Sequence, residues 1–299
     1  MRPTLADLLQ RKVVVLDGAL GTELQARDLI RGLCPEELNV TAPEAIAEIH
    51  RAYVDAGADI VETNSFGGNR IRLRHADLED RVWELNVAAA RLAREAAGDR
   101  ALVAGSVGPM AAILEPLGDV PYAEAVEAFG EQAAALAEGG ADLFIVETMY
   151  DLNEVRAAVE GIRRTTDLPI LCSMTFDQGG RTMMGVRPAD AVAELQALGV
   201  AALGTNCGNG PEETEQVVRE MLQAGPKLPL VAYPNAGRPE LRDGRAVYTV
   251  DSETMAAYAR RYVELGVRIV GACCGSTPAH VAAIARAVRE ARGERHSVA

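Results

Sequence analysis

Residues 138–154 read Glu-Gly-Gly-Ala-Asp-Leu-Phe-Ile-Val-Glu-Thr-Met-Tyr-Asp-Leu-Asn-Glu. Within this stretch, residues 143–146 are apolar at every position, which is typical of a strand that is covered on both faces in a parallel sheet. The glycines before the run predict the end of a preceding helix. Asp151 and Glu154 have the spacing of a capping box, which predicts the start of the next helix. The stretch therefore predicts one strand–helix unit of an α/β fold.

The same unit recurs along the chain. Short apolar runs alternate with Ala-, Glu- and Leu-rich segments of helical periodicity, and Thr41 and Glu44 predict a second capping box. The runs are residues 13–16, 59–62, 102–104, 143–146, 169–174, 201–204, 229–232 and 268–271. Eight such units predict a (β/α)8 barrel that forms a single domain over residues 1–299, with residues 1–12 and 293–299 as peripheral tails. A doubly wound open sheet is the structural alternative.

Composition excludes several classes of function. The chain has 299 residues, 48% of them hydrophobic, and a formal net charge of −13, which opposes nucleic-acid binding through phosphate contacts. No apolar stretch is long enough to span a bilayer. The N-terminus lacks the uninterrupted apolar core and cleavage site of a secretory signal. We therefore expect a cytoplasmic protein.

Three of the five cysteines lie where apolar runs give way to glycine. Cys207 follows the sixth run, and Cys273 and Cys274 follow the eighth. Active sites of (β/α)8 barrels form at the carboxyl ends of the strands, so residues far apart in sequence meet there. Zinc favours thiolates in a tetrahedral shell, and three protein ligands leave a fourth position open. The cysteines therefore predict a zinc site suited to chemistry on sulfur.

The alternative for these cysteines is that they are small, buried hydrophobic residues. Cys34 and Cys172 fit that description, and we assign them no chemistry. A disulfide between Cys273 and Cys274 would be a strained ring. None of the four histidines is a compelling metal ligand, so metal binding by the three strand-end thiols is the better explanation.

Two acidic residues, Asp17 and Glu147, directly follow buried-type strands. Their carboxylates are expected to point into a partly dry barrel mouth, where they need a cation or hydrogen-bond donors. A substrate ammonium group would serve, and the backbone N–H groups of residues 18–21 could hold a carboxylate. The mouth could thus bind both ends of an α-amino acid. Glu62 could act similarly or could cap a neighbouring turn.

Seven stretches of the chain resemble motifs of the homocysteine S-methyltransferase family, in family order. The resemblance runs nearly from end to end and is closest to the N-terminal homocysteine-binding module of cobalamin-dependent methionine synthase. Single motifs of this size are weak, whereas the ordered set is specific. The stretches are Asp-Gly-Ala-Leu-Gly-Thr-Glu (17–23), Pro-Glu-Glu-Leu-Asn (35–39), Glu-Thr-Asn-Ser-Phe-Gly (62–67), Gly-Ser-Val-Gly-Pro (105–109), Asn-Cys-Gly (206–208), Pro-Asn-Ala-Gly (234–237) and Gly-Ala-Cys-Cys-Gly-Ser-Thr-Pro (271–278).

For the metal, the resemblance implies that Cys207, Cys273 and Cys274 bind zinc. It implies that the thiolate of homocysteine enters as the fourth ligand and is methylated to give methionine. Asn235 lies in the matching Pro-Asn-Ala-Gly turn. It is the expected oxygen ligand when substrate is absent.

For the substrate, the resemblance implies that Asp17 and Glu147 hold the amino group of homocysteine. It implies that the backbone at Gly18, Ala19 and Leu20 takes the carboxylate. Both expectations agree with the roles that the position of these residues suggests on its own.

The resemblance leaves the methyl donor open. The sequence shows no second barrel for folate and no cobalamin-binding domain, and no Asp-x-His-x-x-Gly signature of cobalamin ligation surrounds any histidine. The donor could be methylcobalamin on a partner corrinoid protein, S-methylmethionine, betaine or another onium compound.

Two further functions are weighed against this one. The first is a non-catalytic module that binds homocysteine and presents it to separate folate or cobalamin methyl-carrier proteins. The second is an isomerase or lyase with a phosphate site at residues 204–210, which leaves the cysteines unexplained.

Overall fold

A computed structural model describes residues 2–30, 34–242 and 245–291. Its strands are β1 (Val14–Val15), β2 (Ile60–Glu62), β3 (Leu102–Val107), β4 (Leu143–Met149), β5 (Ile170–Met174), β6 (Ala202–Cys207), β7 (Leu230–Pro234), β8 (Glu240–Arg242), β9 (Arg245–Val247) and β10 (Ile269–Val270). All except β8 and β9 form one parallel sheet in the order β1-β10-β7-β6-β5-β4-β3-β2. A parallel bridge between Leu16 and Ile60 joins the two outer strands, and the sheet thereby closes into a barrel.

Helices follow the barrel strands and surround them. They are α1 (Leu5–Arg11), α2 (Leu20–Ala26), α3 (Leu38–Thr41), α4 (Pro43–Ala56), α5 (Arg70–Leu73), α6 (Val82–Ala97), α7 (Tyr122–Gly139), α8 (Leu152–Thr165), α9 (Pro188–Ala197), α10 (Pro211–Gln223), α11 (Ser252–Leu265) and α12 (Pro278–Ala291). Short 3-10 turns lie at Pro35–Glu37, Arg74–Ala76 and Glu79–Arg81. The connection from β7 to α11 carries the antiparallel β8–β9 hairpin.

The strands are apolar at successive positions because both of their faces are buried. In β4, Leu143 and Ile145 pack inside the barrel, whereas Phe144 and Val146 pack between the sheet and the helices. Each such side chain stabilises the fold by about 1.5–3 kcal/mol when fully buried. The alternation of side chains along a strand therefore builds two cores from one run.

The predicted (β/α)8 barrel is confirmed, and each of the eight apolar runs overlaps a barrel strand. The closed sheet excludes the open doubly wound alternative. Residues 1–12, predicted to be peripheral, include α1, whose Leu5 and Leu8 are buried against the interior core. The other predicted tail, residues 293–299, lies outside the described residues.

Membrane insertion through a helix finds no support in the fold. Across residues 2–30, 34–242 and 245–291, no helix combines the length and the apolar character needed to cross a bilayer.

We expect Gly204→Ala to lower the free energy of unfolding by about 3 kcal/mol, because the barrel has no room for a side chain there. A Cβ atom at Gly204 in β6 would overlap the carbonyl oxygen of Val231 in β7, whereas one at Gly21 would meet no atom within 4 Å. Urea unfolding of Gly204→Ala beside Gly21→Ala measures the difference. Equal stability of the two variants would contradict the close approach of β6 and β7.

Candidate metal and substrate site

Three thiols converge at the carboxyl end of the barrel. The Sγ atoms of Cys207, Cys273 and Cys274 all lie within 4.8 Å of one another, and Cys207 Sγ lies 3.0 Å from Cys273 Sγ. All three are free thiols. Sulfur ligands of a tetrahedral zinc ion stand about 3.8 Å apart, given bonds of about 2.3 Å. The thiols could therefore surround such an ion after a shift of less than about 1 Å in the closest pair.

Strand β7 fixes the distance between these thiols, because it pairs with β6, which ends at Cys207, and with β10, which precedes Cys273 and Cys274. The Asn235 N–H donates to the carbonyl oxygen of Cys207 (3.1 Å), and the Cys273 N–H donates to that of Pro234 (2.7 Å). The Ala236 N–H donates to the carbonyl oxygen of Cys274 (2.9 Å). The spacing of the thiols is thus set by backbone hydrogen bonds.

The side chain of Asn206 holds the residues around Cys207 in place. Its Oδ1 accepts hydrogen bonds from the Thr148 N–H (2.9 Å) and from Ser173 Oγ (2.8 Å), and its Nδ2 donates to Thr148 Oγ1 (2.7 Å). Nδ2 also lies 3.4 Å from Cys207 Sγ. Asn206 is 1% exposed, and both polar atoms of its buried amide are hydrogen-bonded. The amide therefore helps to hold Thr148 and Cys207 in position. Sequence reasoning missed this role, although Asn206 belongs to the Asn-Cys-Gly motif.

Thr148 and Cys207 both adopt left-handed backbone conformations, with φ of 60° and 57°. Such values are uncommon for residues other than glycine and strained for a β-branched residue. The hydrogen bonds of the Asn206 amide contribute to holding Thr148 in that conformation. They also bring the Thr148 hydroxyl to 3.7 Å from Cys207 Sγ.

The thiol cluster favours one thiolate. Hydrogen bonds from the Cys207 and Cys273 thiols lower the pKa of Cys274 to about 3. Hydrogen bonds to Cys207 and Cys274, together with burial, raise the pKa of Cys273 well above its ordinary value. Binding of a cation by all three sulfurs would therefore release protons.

Three carboxyl groups, those of Asp17, Glu62 and Glu147, form an acidic cluster. Burial raises the pKa of Glu147 to about 7, although the Ser106 hydroxyl donates to its Oε1 at 2.5 Å and lowers it. Burial, together with the negative charge of Glu147, also raises the pKa values of Asp17 and Glu62 well above their ordinary range. The cluster therefore favours a bound cation.

The loop over residues 18–20 is held by two side chains that the sequence did not identify. Tyr53 OH donates to the carbonyl oxygen of Ala19 (2.8 Å), and the Ala19 N–H donates to Ser276 Oγ (3.0 Å). The N–H groups of Gly18 and Leu20 make no hydrogen bond within the described part of the chain. They are the donors of this loop that remain available.

A cavity of about 400 Å³, here called the thiol cavity, joins the thiols to the acids. Its wall includes the three cysteines together with Gly18, Ala19, Leu20, Glu62 and Glu147. A second cavity of about 540 Å³, here called the outer cavity, shares Cys207 and Cys274 with it and adds Tyr150 and Asp177. The thiols thus lie where two cavities meet.

Asn235 lies in the wall of the outer cavity together with Cys207 and Cys274. Its Nδ2 donates to the carbonyl oxygen of Gly208 (2.7 Å). Its Oδ1 is buried and has no hydrogen-bond partner among the described residues. That oxygen is free to accept a donor or to ligate a cation.

The sequence profile of the homocysteine S-methyltransferase family matches residues 14–288. The chain belongs to this family. It is 38% identical over 302 residues to a methionine synthase of Mycobacterium tuberculosis, covering 95% of this chain and 25% of that protein. It is 37% identical over 316 residues to a methionine synthase of Mycobacterium leprae, covering 98% of this chain and 26% of that protein. The family member thus spans about a quarter of the length of these relatives.

A solved structure is similar over nearly its whole length. The metallated form of the homocysteine methyltransferase MmuM from Escherichia coli superposes with a TM-score of 0.79 at 29% identity. The match covers 94% of this family member and 98% of MmuM.

We expect Asn206→Ala to lower the free energy of unfolding by about 2 kcal/mol, because the Thr148 N–H and the Ser173 hydroxyl lose their buried acceptor. Metal retention should fall about 10-fold or more, as for other residues that orient ligands. Competition with a chromogenic chelator measures retention. The control is Asn153→Ala, at an exposed asparagine of α8, and equal retention by the two variants would contradict the role of Asn206.

We expect the stability of Glu147→Gln relative to the parent protein to increase as pH rises from about 4.5 to about 7. The folded protein keeps the Glu147 proton up to a pKa of about 7, whereas the unfolded chain releases it near 4.5. The contribution of residue 147 to the free energy of unfolding therefore falls by about 3 kcal/mol over this pH range in the parent. It does not change in the variant, because the amide does not titrate. Unfolding of metal-free protein by urea at several pH values measures the difference, and parallel stability curves would contradict it.

Proposed function

We propose that this protein is a zinc-dependent homocysteine S-methyltransferase that forms methionine. The observation that carries the proposal is the thiol cavity, which has three cysteine thiols in one part of its wall and buried carboxyl groups in another. An amino acid that bears a thiol complements both parts. Membership of the homocysteine S-methyltransferase family supports the same substrate.

Cys207, Cys273 and Cys274 would hold the zinc ion, and the unpartnered Oδ1 of Asn235 is the oxygen ligand that substrate would replace. The donor set fits, because clustered thiols that share one thiolate bind a soft divalent cation as they lose their protons. When bound, the ion keeps a substrate thiol deprotonated at neutral pH, so that its sulfur remains nucleophilic.

The rest of the thiol cavity would orient homocysteine. Asp17 and Glu147 supply negative charge for the ammonium group in a buried setting, where an unpaired charge is costly. The N–H groups of Gly18 and Leu20 are available to the carboxylate, and Ala19 would contribute if its bond to Ser276 were exchanged. With both polar ends held, the side-chain sulfur is directed to the cysteines.

The outer cavity would admit the methyl donor, because Cys207 and Cys274 line it as well as the thiol cavity. The substrate sulfur forms a bond to the methyl carbon while the bond between that carbon and the donor breaks, and the electron pair leaves with the donor. The donor must therefore carry its methyl carbon on a group that can accept this electron pair. Methylcobalamin on a corrinoid partner, S-methylmethionine and betaine all carry such a group.

One observation favours a second function. The chain matches about a quarter of each methionine synthase, as expected for a module that presents homocysteine to separate folate or cobalamin methyl-carrier proteins. Steady turnover with a free small-molecule donor would exclude this role.

The experiment that tests the function is methionine formation by reduced, zinc-loaded protein with homocysteine. Methylcobalamin, S-methylmethionine and betaine are offered in parallel. Turnover with an onium donor alone indicates a self-contained enzyme, and turnover with methylcobalamin alone indicates a corrinoid-linked one. If homocysteine binds but no donor gives methionine, the result favours the module that presents homocysteine to separate methyl-carrier proteins.

We expect Cys207→Ala to lose bound zinc and to reduce methionine formation by roughly 1,000-fold or more, because two thiolates do not complete the shell. Cys172→Ala is the matched control, since Cys172 is fully buried between the sheet and the helices and is not part of the cluster. Zinc content by mass spectrometry and initial rates are measured together. An active Cys207→Ala protein without zinc would refute the proposed metal site.

A further inference from the structure

Glu62, the last residue of β2, contributes to the wall of the thiol cavity. Its Oε1 is buried without a hydrogen-bond partner among residues 2–30, 34–242 and 245–291. A buried carboxyl oxygen without a donor is costly and rare in folded proteins. Because Oε1 has almost no accessible surface, a ligand in the cavity would meet the rest of the Glu62 carboxyl group.

The ligand that fits this position is a cation. The carboxyl groups of Glu62 and Glu147 lie within hydrogen-bonding reach of one another. No described arginine, lysine or histidine forms an ion pair or hydrogen bond with Asp17, Glu62 or Glu147. An ammonium group carries one positive charge and three N–H donors. It would offset the repulsion between the acids and donate hydrogen bonds to their carboxyl oxygens.

Asp17 stands behind this pair. The Glu62 N–H donates to Asp17 Oδ2 at 3.0 Å, so the Asp17 carboxylate fixes the backbone from which the Glu62 side chain projects. The wall of the thiol cavity includes Glu62 and Glu147 but not Asp17. The two acids that can touch a ligand in the cavity are therefore Glu62 and Glu147.

We propose that Glu62 is a substrate-binding residue, whose carboxyl group accepts a hydrogen bond from the ammonium group of homocysteine beside Glu147, and that Asp17 is its positioning residue. This assignment rests on the proposed function. It adds a contact residue that the sequence alone left undecided between substrate binding and turn capping.

The test compares two thiols that differ only in the amino group, L-homocysteine and 4-mercaptobutanoate. Their affinities for zinc-loaded protein are measured by calorimetry, without a methyl donor. We expect Glu62→Gln to weaken homocysteine binding roughly 10- to 100-fold, as for loss of a charge-assisted hydrogen bond. The affinity for 4-mercaptobutanoate should change by less than about 3-fold, because this ligand has no ammonium group to lose.

Three further variants complete the design. Glu154→Gln is the matched control, because Glu154 is a buried glutamate that accepts the Met110 N–H (2.7 Å) outside the thiol cavity. It should retain the affinity for homocysteine. Asp17→Asn keeps an acceptor for the Glu62 N–H and should weaken homocysteine binding less than Glu62→Gln does. Glu62→Asp, which keeps the charge but withdraws the oxygen, gives an intermediate loss and replaces Glu62→Gln if that variant fails to fold.

The outcomes separate this assignment from the proposed function. If the parent prefers homocysteine to 4-mercaptobutanoate and Glu62→Gln keeps that preference, the role of Glu62 is wrong and the function stands. If Glu62→Gln weakens the binding of both ligands equally, Glu62 has a structural role and the assignment is also wrong. A zinc-loaded parent that binds neither thiol would overturn the proposed function and the Glu62 contact with it.

Discussion

The site depends on the pairing of β7 with its two neighbours. Cys207 ends β6, and Cys273 and Cys274 follow β10, so the thiols meet only because β7 holds both strands in register. A slip of one residue in either ladder would turn the adjacent side chains to the opposite face. The backbone hydrogen bonds of Pro234, Asn235 and Ala236 to the cysteines are therefore as necessary to the thiol cluster as the cysteines themselves.

Two parts of the thiol cavity wall attract positive charge. In one part, three thiols share a thiolate centred on Cys274, and in the other, the carboxyl groups of Glu62 and Glu147 repel one another in front of Asp17. Neither part has a basic side chain of the described chain as its partner. A cavity with two such parts selects a ligand whose cationic group and metal-binding atom are separated, and it disfavours anionic molecules without an ammonium group.

Most of the fold was predictable from local patterns, because strands buried on both faces leave continuous apolar runs and Asp151 caps α8 as expected. The features that were missed depend on tertiary contacts. Thr41 was predicted to cap α4, yet α3 runs to Thr41, whose hydroxyl bonds the Glu37 carbonyl oxygen. No apolar run in the sequence predicts the β8–β9 hairpin. The strand ends predicted that the three cysteines and Glu147 would meet at one cavity, whereas Asp17 lies behind its wall and accepts the Glu62 N–H. The roles of Asn206 and Ser276 depend on partners far away in sequence.

The left-handed conformations of Thr148 and Cys207 have a consequence for laboratory evolution. Each strained residue costs of order 1–3 kcal/mol, so a screen that rewards heat resistance alone would favour glycine at both positions. Glycine at Cys207 removes a thiol, and glycine at Thr148 removes the hydroxyl that meets Asn206. Selection for thermal stability and selection for turnover would therefore favour different residues at these two positions.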